Sequence, residues 1–270
     1  MRHDQSGERV GVEECDMNSR ANVSVWNRAE QLAQSAAETM STFMRWAIEE
    51  RKNCSIALAG GETPRRVYQV LATDPHRSLI DWDCVHLFFG DERMVPPEDP
   101  ASNYGMVHQE LLSRVPVPAD HIHRIHGEHS AMDAAMEYEG ELVKFFGGAM
   151  PRFDLITLGV GEDGHTASLF PHTAAVSEQT KRVVGYFVPQ LNSWRVTLTL
   201  PVLLNARDKL FLAAGTRKAE IVGRIQSAVT PSADLPASMV RPHDGTVQWM
   251  LDVEAASLIS SSKGPWACPP

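Results

Sequence analysis

The sequence has no uninterrupted apolar run approaching the roughly 20 residues that a helix needs to cross a bilayer, and its opening "MRHDQSGERVGVEECDMNSR" holds no hydrophobic signal core. The expectation is a cytoplasmic protein with no membrane partner. Cations are in deficit: 25 Lys and Arg stand against 34 Asp and Glu, a formal net charge of −9. A phosphate backbone calls for clustered Lys and Arg, so nucleic acid is not an expected partner, although a local basic pocket stays open. Cysteine is scarce. Cys15, Cys54, Cys84 and Cys268 show no CxxC spacing, which argues for isolated thiols over a disulfide framework or a zinc site. With 43% hydrophobic and 22% charged residues, the composition excludes disordered, collagen-like and coiled-coil chains.

Between two tails, expected to be flexible at residues 1–22 and 260–270, the chain shows no repeat and no linker-like shift in composition. It reads as one domain over residues 23–259. From Trp26 the positions Ala29, Leu32, Ala33, Ala36, Ala37, Met40, Phe43, Met44, Ala47 and Ile48 recur at three and four, which predicts a long helix with one buried stripe. "CSIALAGG" predicts a strand ended by glycines, and "TPRRVYQVLA" a helix with Thr63 as N-cap and Pro64 as its first residue. "CVHLFFGDER", "FDLITLGVG", "WRVTLTLP", "KLFLAAG" and "VQWMLD" predict further strands. "SNYGMVHQELL", "AMDAAMEYEGELVKFF" and "RKAEIVGRI" predict helices, the second with Ser130 and Asp133 as a capping box. Apolar strands alternating with amphipathic helices imply an α/β, Rossmann-like fold, with a mostly parallel sheet covered by helices on both faces. Ligands of such sheets bind beyond the carboxyl ends of the strands, so the polar loops there should converge on one crevice.

Four loops carry chemistry. In "AGGETP", Gly60 and Gly61 let backbone amides approach a ligand, and the start of the next helix favours an anion such as a phosphate; a bare strand-to-helix turn is the alternative. This segment contains neither GxxxxGK[ST] nor GxGxxG. In "GDERMVPPEDPASNYGM", Arg93 can fork onto phosphate or carboxylate oxygens while Asp91 orients it or meets sugar hydroxyls, against a plain surface ion pair. Lys218 stands near a helix start, where the dipole disfavours a cation unless an anion sits between, and Arg195 is a charge in or beside a strand expected to be half buried. In "GVGEDGHTASLF", His165 is near Asp163, and a neutral imidazole there can activate water against an electrophilic carbon. Ser168 lacks a GxSxG context for a nucleophile, and no second His or Cys stands at a recognised metal spacing.

Together, "LAGGETPRRVY", "HLFFGDERMVPPEDPASNYGM", "FDLITLGVGEDGHTASLFP", "RVTLTLPVLLNA" and "LFLAAGTRKAEIV" resemble the 6-phosphogluconolactonase family in order and spacing across residues 25–255. The resemblance implies hydrolysis of 6-phospho-D-glucono-1,5-lactone to 6-phosphogluconate in the oxidative pentose phosphate pathway, without metal or organic cofactor. It also implies a fold shared with glucosamine-6-phosphate deaminase and ribose-5-phosphate isomerase. Carried onto this chain, it makes His165 the general base with Asp163 orienting it. Gly60, Gly61, Thr63, Arg195 and Lys218 become the phosphate and substrate pocket, Asp91 and Arg93 the charged loop, and Asn103 the family's "SN" position. Ala59 and Glu62 depart from the family's hydroxyl residues; Glu62 would repel a phosphate unless it points outward or pairs with Arg65 or Arg66. Deaminases tend to continue "DGH" with "IAFNEP", whereas this chain continues with "TASLFP". A sugar-phosphate sensor without turnover is the rival from another class. The sugar phosphate is the expected partner, and the oligomeric state is left between monomer and weak dimer.

Overall fold

The computed structural model describes residues 22–242 and 244–259. The expected tails at 1–21 and 260–270 lie outside the described residues, whereas Asn22 already belongs to a strand. In chain order the strands are β1 (Asn22–Trp26), β2 (Cys54–Leu58), β3 (Val85–Phe89), β4 (Asp91–Arg93), β5 (Leu155–Leu158), β6 (Val183–Val188), β7 (Ser193–Leu198), β8 (Asp208–Ala213) and β9 (Thr246–Asp252). The helices are α1 (Ala29–Arg51), α2 (Glu62–Leu71), α3 (His76–Leu79), α4 (Asn103–Val107), α5 (Ala131–Phe145), α6 (Leu200–Asn205), α7 (Ala219–Ser227) and α8 (Pro236–Met239).

Six strands form a wholly parallel sheet in the order β1-β9-β8-β5-β2-β3. Every residue of β2, β5 and β8 is buried, the polar Ser55, Thr157, Asp208 and Lys209 included, as strands between two helical layers must be. α1 presents Leu32, Ala33, Ala36, Ala37, Met40, Met44 and Ala47 to this core, the stripe that its 3.6-residue period predicts. The parallel sheet and its helical cover match the expected fold class.

The structure differs from the expectation in five places. Asn22–Trp26 pairs with β9 as an edge strand, so α1 starts at Ala29 and not at Trp26. "CVHLFFGDER" is two strands, because the chain changes sheets at Gly90: its N–H donates to Leu58 O of the parallel sheet at 2.9 Å, and its carbonyl accepts Leu198 N of a second sheet at 2.9 Å. That second sheet is antiparallel, in the order β4-β7-β6, and it takes "WRVTLTLP" away from the main sheet. Helix α2 opens at Glu62 with Gly61 as its N-cap, at φ 105°, so Thr63 is not the cap. At α5, Ser130 Oγ accepts Asp133 N at 3.2 Å as expected, but the Asp133 carboxylate accepts the Ser130 hydroxyl at 2.6 Å instead of its backbone N–H.

Two buried tyrosines fix the ends of strands that feed the crevice. Tyr68 of α2 accepts Ala59 N at 3.0 Å and donates to Ala59 O at 2.9 Å, just beyond β2. Tyr138 of α5 does the same for Phe89 at 2.9 Å on both sides, at the end of β3. Each phenol thus satisfies both backbone groups of one residue, and burial pushes both hydroxyl pKa values up, so they stay protonated donors. Beside β3, His86 stacks on His121 at 3.9 Å and lies 3.2 Å (Nδ1 to Nε2) from His123, with Phe145 across the cluster. Burial first, then the charges of His121 and His123, lower the His86 pKa to about 4 against the opposing pull of Asp120.

Two outcomes follow for stability. Tyr138→Phe leaves a buried N–H and C=O of Phe89 unpaired and should cost about 1–3 kcal/mol, read as a lower urea midpoint with an unchanged m-value. For His86, the folded value of about 4 lies below the unfolded 6.5, so the unfolded chain takes up the proton first. Stability therefore falls as pH drops from about 6.5 to about 4. The variant H86F should show a shallower fall in unfolding midpoint across that window.

Candidate active site

The carboxyl ends of β2, β3, β5, β8 and β9 open into one cavity of about 740 Å³, the size range of small-molecule sites. Gly60, Gly61, Thr63, Asp91, Arg93, Asn103, His165, Arg195 and Lys218 all line it, from loops far apart in sequence. Asp163, the remaining residue expected at the site, stands behind His165 and not in the wall. Its Oδ1 is 2.6 Å from His165 Nδ1 and also accepts His165 N at 3.1 Å. Burial raises the Asp163 pKa, but the hydrogen bond and charge of His165 outweigh it, and the carboxyl lies below its usual value.

Local sequence dictates this pairing. The turn closes through Gly161 N to His165 O at 2.8 Å and Gly164 N to Gly161 O at 3.0 Å, with Gly164 at φ 89°. A Cβ on Gly161 would lie 2.0 Å from His165 Nδ1 and 2.6 Å from Asp163 Oδ1, so only glycine admits the ring and carboxylate together. Phe170 packs on the imidazole at 4.1 Å between centroids, tilted by 30°. Gly159, Gly161 and Gly164 have the GxGxxG spacing, but that fingerprint requires a helix to open directly behind it, and here the chain stays in turns through Phe170.

The wall opposite is organised by Asp91 together with Glu92, an acid that the sequence does not single out. Glu92, 1% exposed, accepts Arg93 N at 2.8 Å, Asn103 N at 2.7 Å, Tyr104 N at 2.7 Å and Ser102 Oγ at 3.1 Å. Burial pushes its pKa up despite those donors. Asn103 then donates Nδ2 to Asp91 O at 2.9 Å and to Asp91 Oδ1 at 3.2 Å, while Ser168 Oγ donates to Asp91 Oδ2 at 2.6 Å. A Cβ on Gly60 would fall 1.7 Å from Asn103 Oδ1, so the glycine makes room for that amide. Ser168 thus serves Asp91.

The cations form the third part. Arg93 and Arg195 face each other across β4 and β7, and among the described residues no acidic side chain lies within 4.0 Å of Arg93, Arg195 or Lys218. Arg93 donates to Ala101 O, and Arg195 donates to Ser193 Oγ at 2.6 Å. Burial, then the charge of Arg93, lowers the Arg195 pKa; burial lowers that of Lys218 against Glu162, with Arg217 adding repulsion. A bound anion would relieve both. Thr63 and the free first-turn amides of α2 border the same space. Glu62 lines the cavity with its side chain 68% exposed, and it meets the pairing condition set for it, with Arg66 at 3.4 Å and Arg65 at 3.7 Å.

Sequence reading misses several wall residues. Asn27 and Arg28 fall at the predicted helix start, Arg217 sits beside Lys218, and Asp252 ends a strand without a glycine to mark it. Asp252 accepts Gly215 N with both oxygens at 3.0 Å, which fixes the turn that carries Lys218. Of the cysteines, Cys54 and Cys84 are free thiols, and Cys15 and Cys268 lie outside the described residues. Among the described residues no helix is long and apolar enough to cross a membrane.

Residues 27–249 match the family model of glucosamine-6-phosphate isomerases and 6-phosphogluconolactonase. The chain is 36% identical over 204 residues to the 6-phosphogluconolactonase of Haemophilus influenzae, covering 76% of this chain and 87% of that one. It is 36% identical over 245 residues to the Homo sapiens 6-phosphogluconolactonase, covering 88% and 93%. The solved structure of 6-phosphogluconolactonase from Trypanosoma cruzi superposes with a TM-score of 0.78 at 31% identity, covering 88% of this chain and 96% of that one.

Gly161→Ala should break the Asp163–His165 pair while leaving the sheet intact. The check is the Asp163 carboxyl resonance followed by NMR against pH: without the imidazole contact its lowered pKa should rise toward the usual carboxylate value. An unchanged titration would mean that the turn tolerates a Cβ and that the contact does not hold the ring.

Proposed function

The chain belongs to the family of glucosamine-6-phosphate isomerases and 6-phosphogluconolactonases, and on that premise we propose that it is a 6-phosphogluconolactonase: a hydrolase that opens 6-phospho-D-glucono-1,5-lactone to 6-phospho-D-gluconate, with His165 as general base. The observation that carries this reading is the pairing of two features in one cavity. Arg93, Arg195 and Lys218, three cations without an acidic partner among the described residues, share it with an imidazole whose Nδ1 is held by Asp163. The first suits a phosphate dianion, and the second suits activation of water.

In the neutral ring, Nδ1–H donates to Asp163 and Nε2 keeps its lone pair. Nε2 takes a proton from water as the water oxygen bonds to C1, and the carbonyl electron pair moves onto its oxygen. When the tetrahedral intermediate collapses, the bond from C1 to the ring oxygen breaks and that oxygen takes the proton from the imidazolium. The new carboxylic acid releases its proton to solvent, so atoms and charge balance. Asp163, held below the usual carboxylate range, stays ionised and steadies the imidazolium. Arg93, Arg195, Lys218 and the amides after Gly60 and Gly61 grip the phosphate and so fix C1 against the base. The same reading makes Thr63, Asp91 and Asn103 substrate-binding residues and places the reaction in the cytoplasm, in keeping with the free thiols of Cys54 and Cys84.

His165→Ala should lower kcat by about 10²–10⁴-fold with an unchanged melting midpoint. The assay couples phosphogluconate formation to a downstream dehydrogenase on fresh lactone, corrected for spontaneous opening. Near-normal turnover in that variant would overturn the role of His165. Ammonia release from glucosamine 6-phosphate, or phosphogluconate binding without any turnover of lactone by the wild type, would overturn the lactonase reading itself.

A further inference from the structure

Outside the cavity, "HGEH" at His126 to His129 makes the one group among the described residues in which three side chains of metal-ligating type converge. One ring nitrogen from each of His126 and His129 and one carboxylate oxygen of Glu128 lie within 4.8 Å of one another. The two imidazoles stack at 5.2 Å between centroids with planes only 12° apart. His126 Nδ1 and Glu128 Oε1 are 3.4 Å apart, the separation of about 3.4 Å expected of two ligands at a tetrahedral angle with bonds of about 2.1 Å. A second carboxylate, Glu137 Oε2, lies 2.9 Å from His129 Nδ1 and orients that ring, leaving its other nitrogen for an ion.

We infer that His126, Glu128 and His129 form a surface site for a divalent transition-metal ion of the zinc class, separate from the catalytic cavity. Imidazole nitrogen with a single carboxylate suits Zn²⁺ or Ni²⁺ and suits Mg²⁺ or Ca²⁺ poorly, since those ions require oxygen shells. Glu128 is already fixed, because Arg124 donates to its two oxygens at 2.9 and 2.5 Å. The carboxylate is therefore positioned before an ion arrives, while the guanidinium charge limits affinity. The turn is also anchored: a Cβ on Gly127 would come within 2.5 Å of the carbonyls of Arg93 and Val95. Metal binding thus clamps a turn that packs on the strand bearing Arg93, without entering the chemistry.

Calorimetric titration of the full chain, prepared without an affinity tag, with Zn²⁺ at pH 7.5 tests the inference. Wild type should bind one ion with its affinity reduced at least tenfold in H126A and in H129A, unchanged in H165A, and absent for Mg²⁺. Circular dichroism should show both variants folded, and H129Q, which keeps a polar side chain, should lose affinity equally. Zn²⁺ binding that survives H126A and H129A, or that disappears only in H165A, would overturn the site. Lactone turnover plays no part in this readout, so the two readings fail separately.

Discussion

A carboxylate taken out of water must be saturated with donors, and the crevice of this protein is arranged around one that is. Glu92 collects three backbone N–H groups and a hydroxyl. Because Asn103 and Tyr104 supply two of those N–H groups, the start of α4 is drawn onto β4. Asn103 is thereby set against Asp91 and into the space left by Gly60, and Asp91 in turn holds Ser168, three residues beyond His165. One buried charge thus ties the loops after β2, β3 and β5 into a single wall. The fold offsets the cost of burying it with donors that must be in place for other reasons.

The wall also explains how a chain of net charge −9 presents a site for anions. Acids near the cavity are occupied by backbone and neutral side chains, as with Glu92, Asp91 and Asp252, or paired with arginines, as with Glu62. Among the described residues Arg93, Arg195 and Lys218 receive no acidic partner within 4.0 Å. Local sign is set by which charges are neutralised, and the excess of carboxylates elsewhere does not reach through the screened surface.

Much of this was legible in the sequence, and the reason is physical. Glycines that end an apolar strand mark where a parallel sheet opens, so Gly60, Gly61, Gly161 and Gly215 locate the crevice without knowledge of the strand order. The α1 stripe is equally plain, since one face of a 23-residue helix must be apolar. What was not legible depends on partners. β1 is a five-residue edge strand defined by its pairing with β9, and β6, partly exposed along its length, is defined by β7. The division of "CVHLFFGDER" between two sheets is decided at Gly90 by distant partners, Leu58 on one side and Leu198 on the other. Glu92 read as one of three charges; only the closed fold turns it inward.

The two parts of the crevice are encoded over very different ranges. Asp163 and His165 meet through a turn closed by hydrogen bonds between Gly161, Gly164 and His165, with Ala237 N to Gly164 O at 2.9 Å as a tie from farther along the chain. Arg93, Arg195 and Lys218 meet only when three distant strands have found their neighbours. During folding, or on partial loosening by heat, the chain can hold its imidazole and carboxylate together before it has any grip on a phosphate. Such a species carries a base with nothing to act upon. Turnover therefore waits on the slowest long-range pairing, and activity becomes a stricter witness of the native topology than the local structure around the histidine.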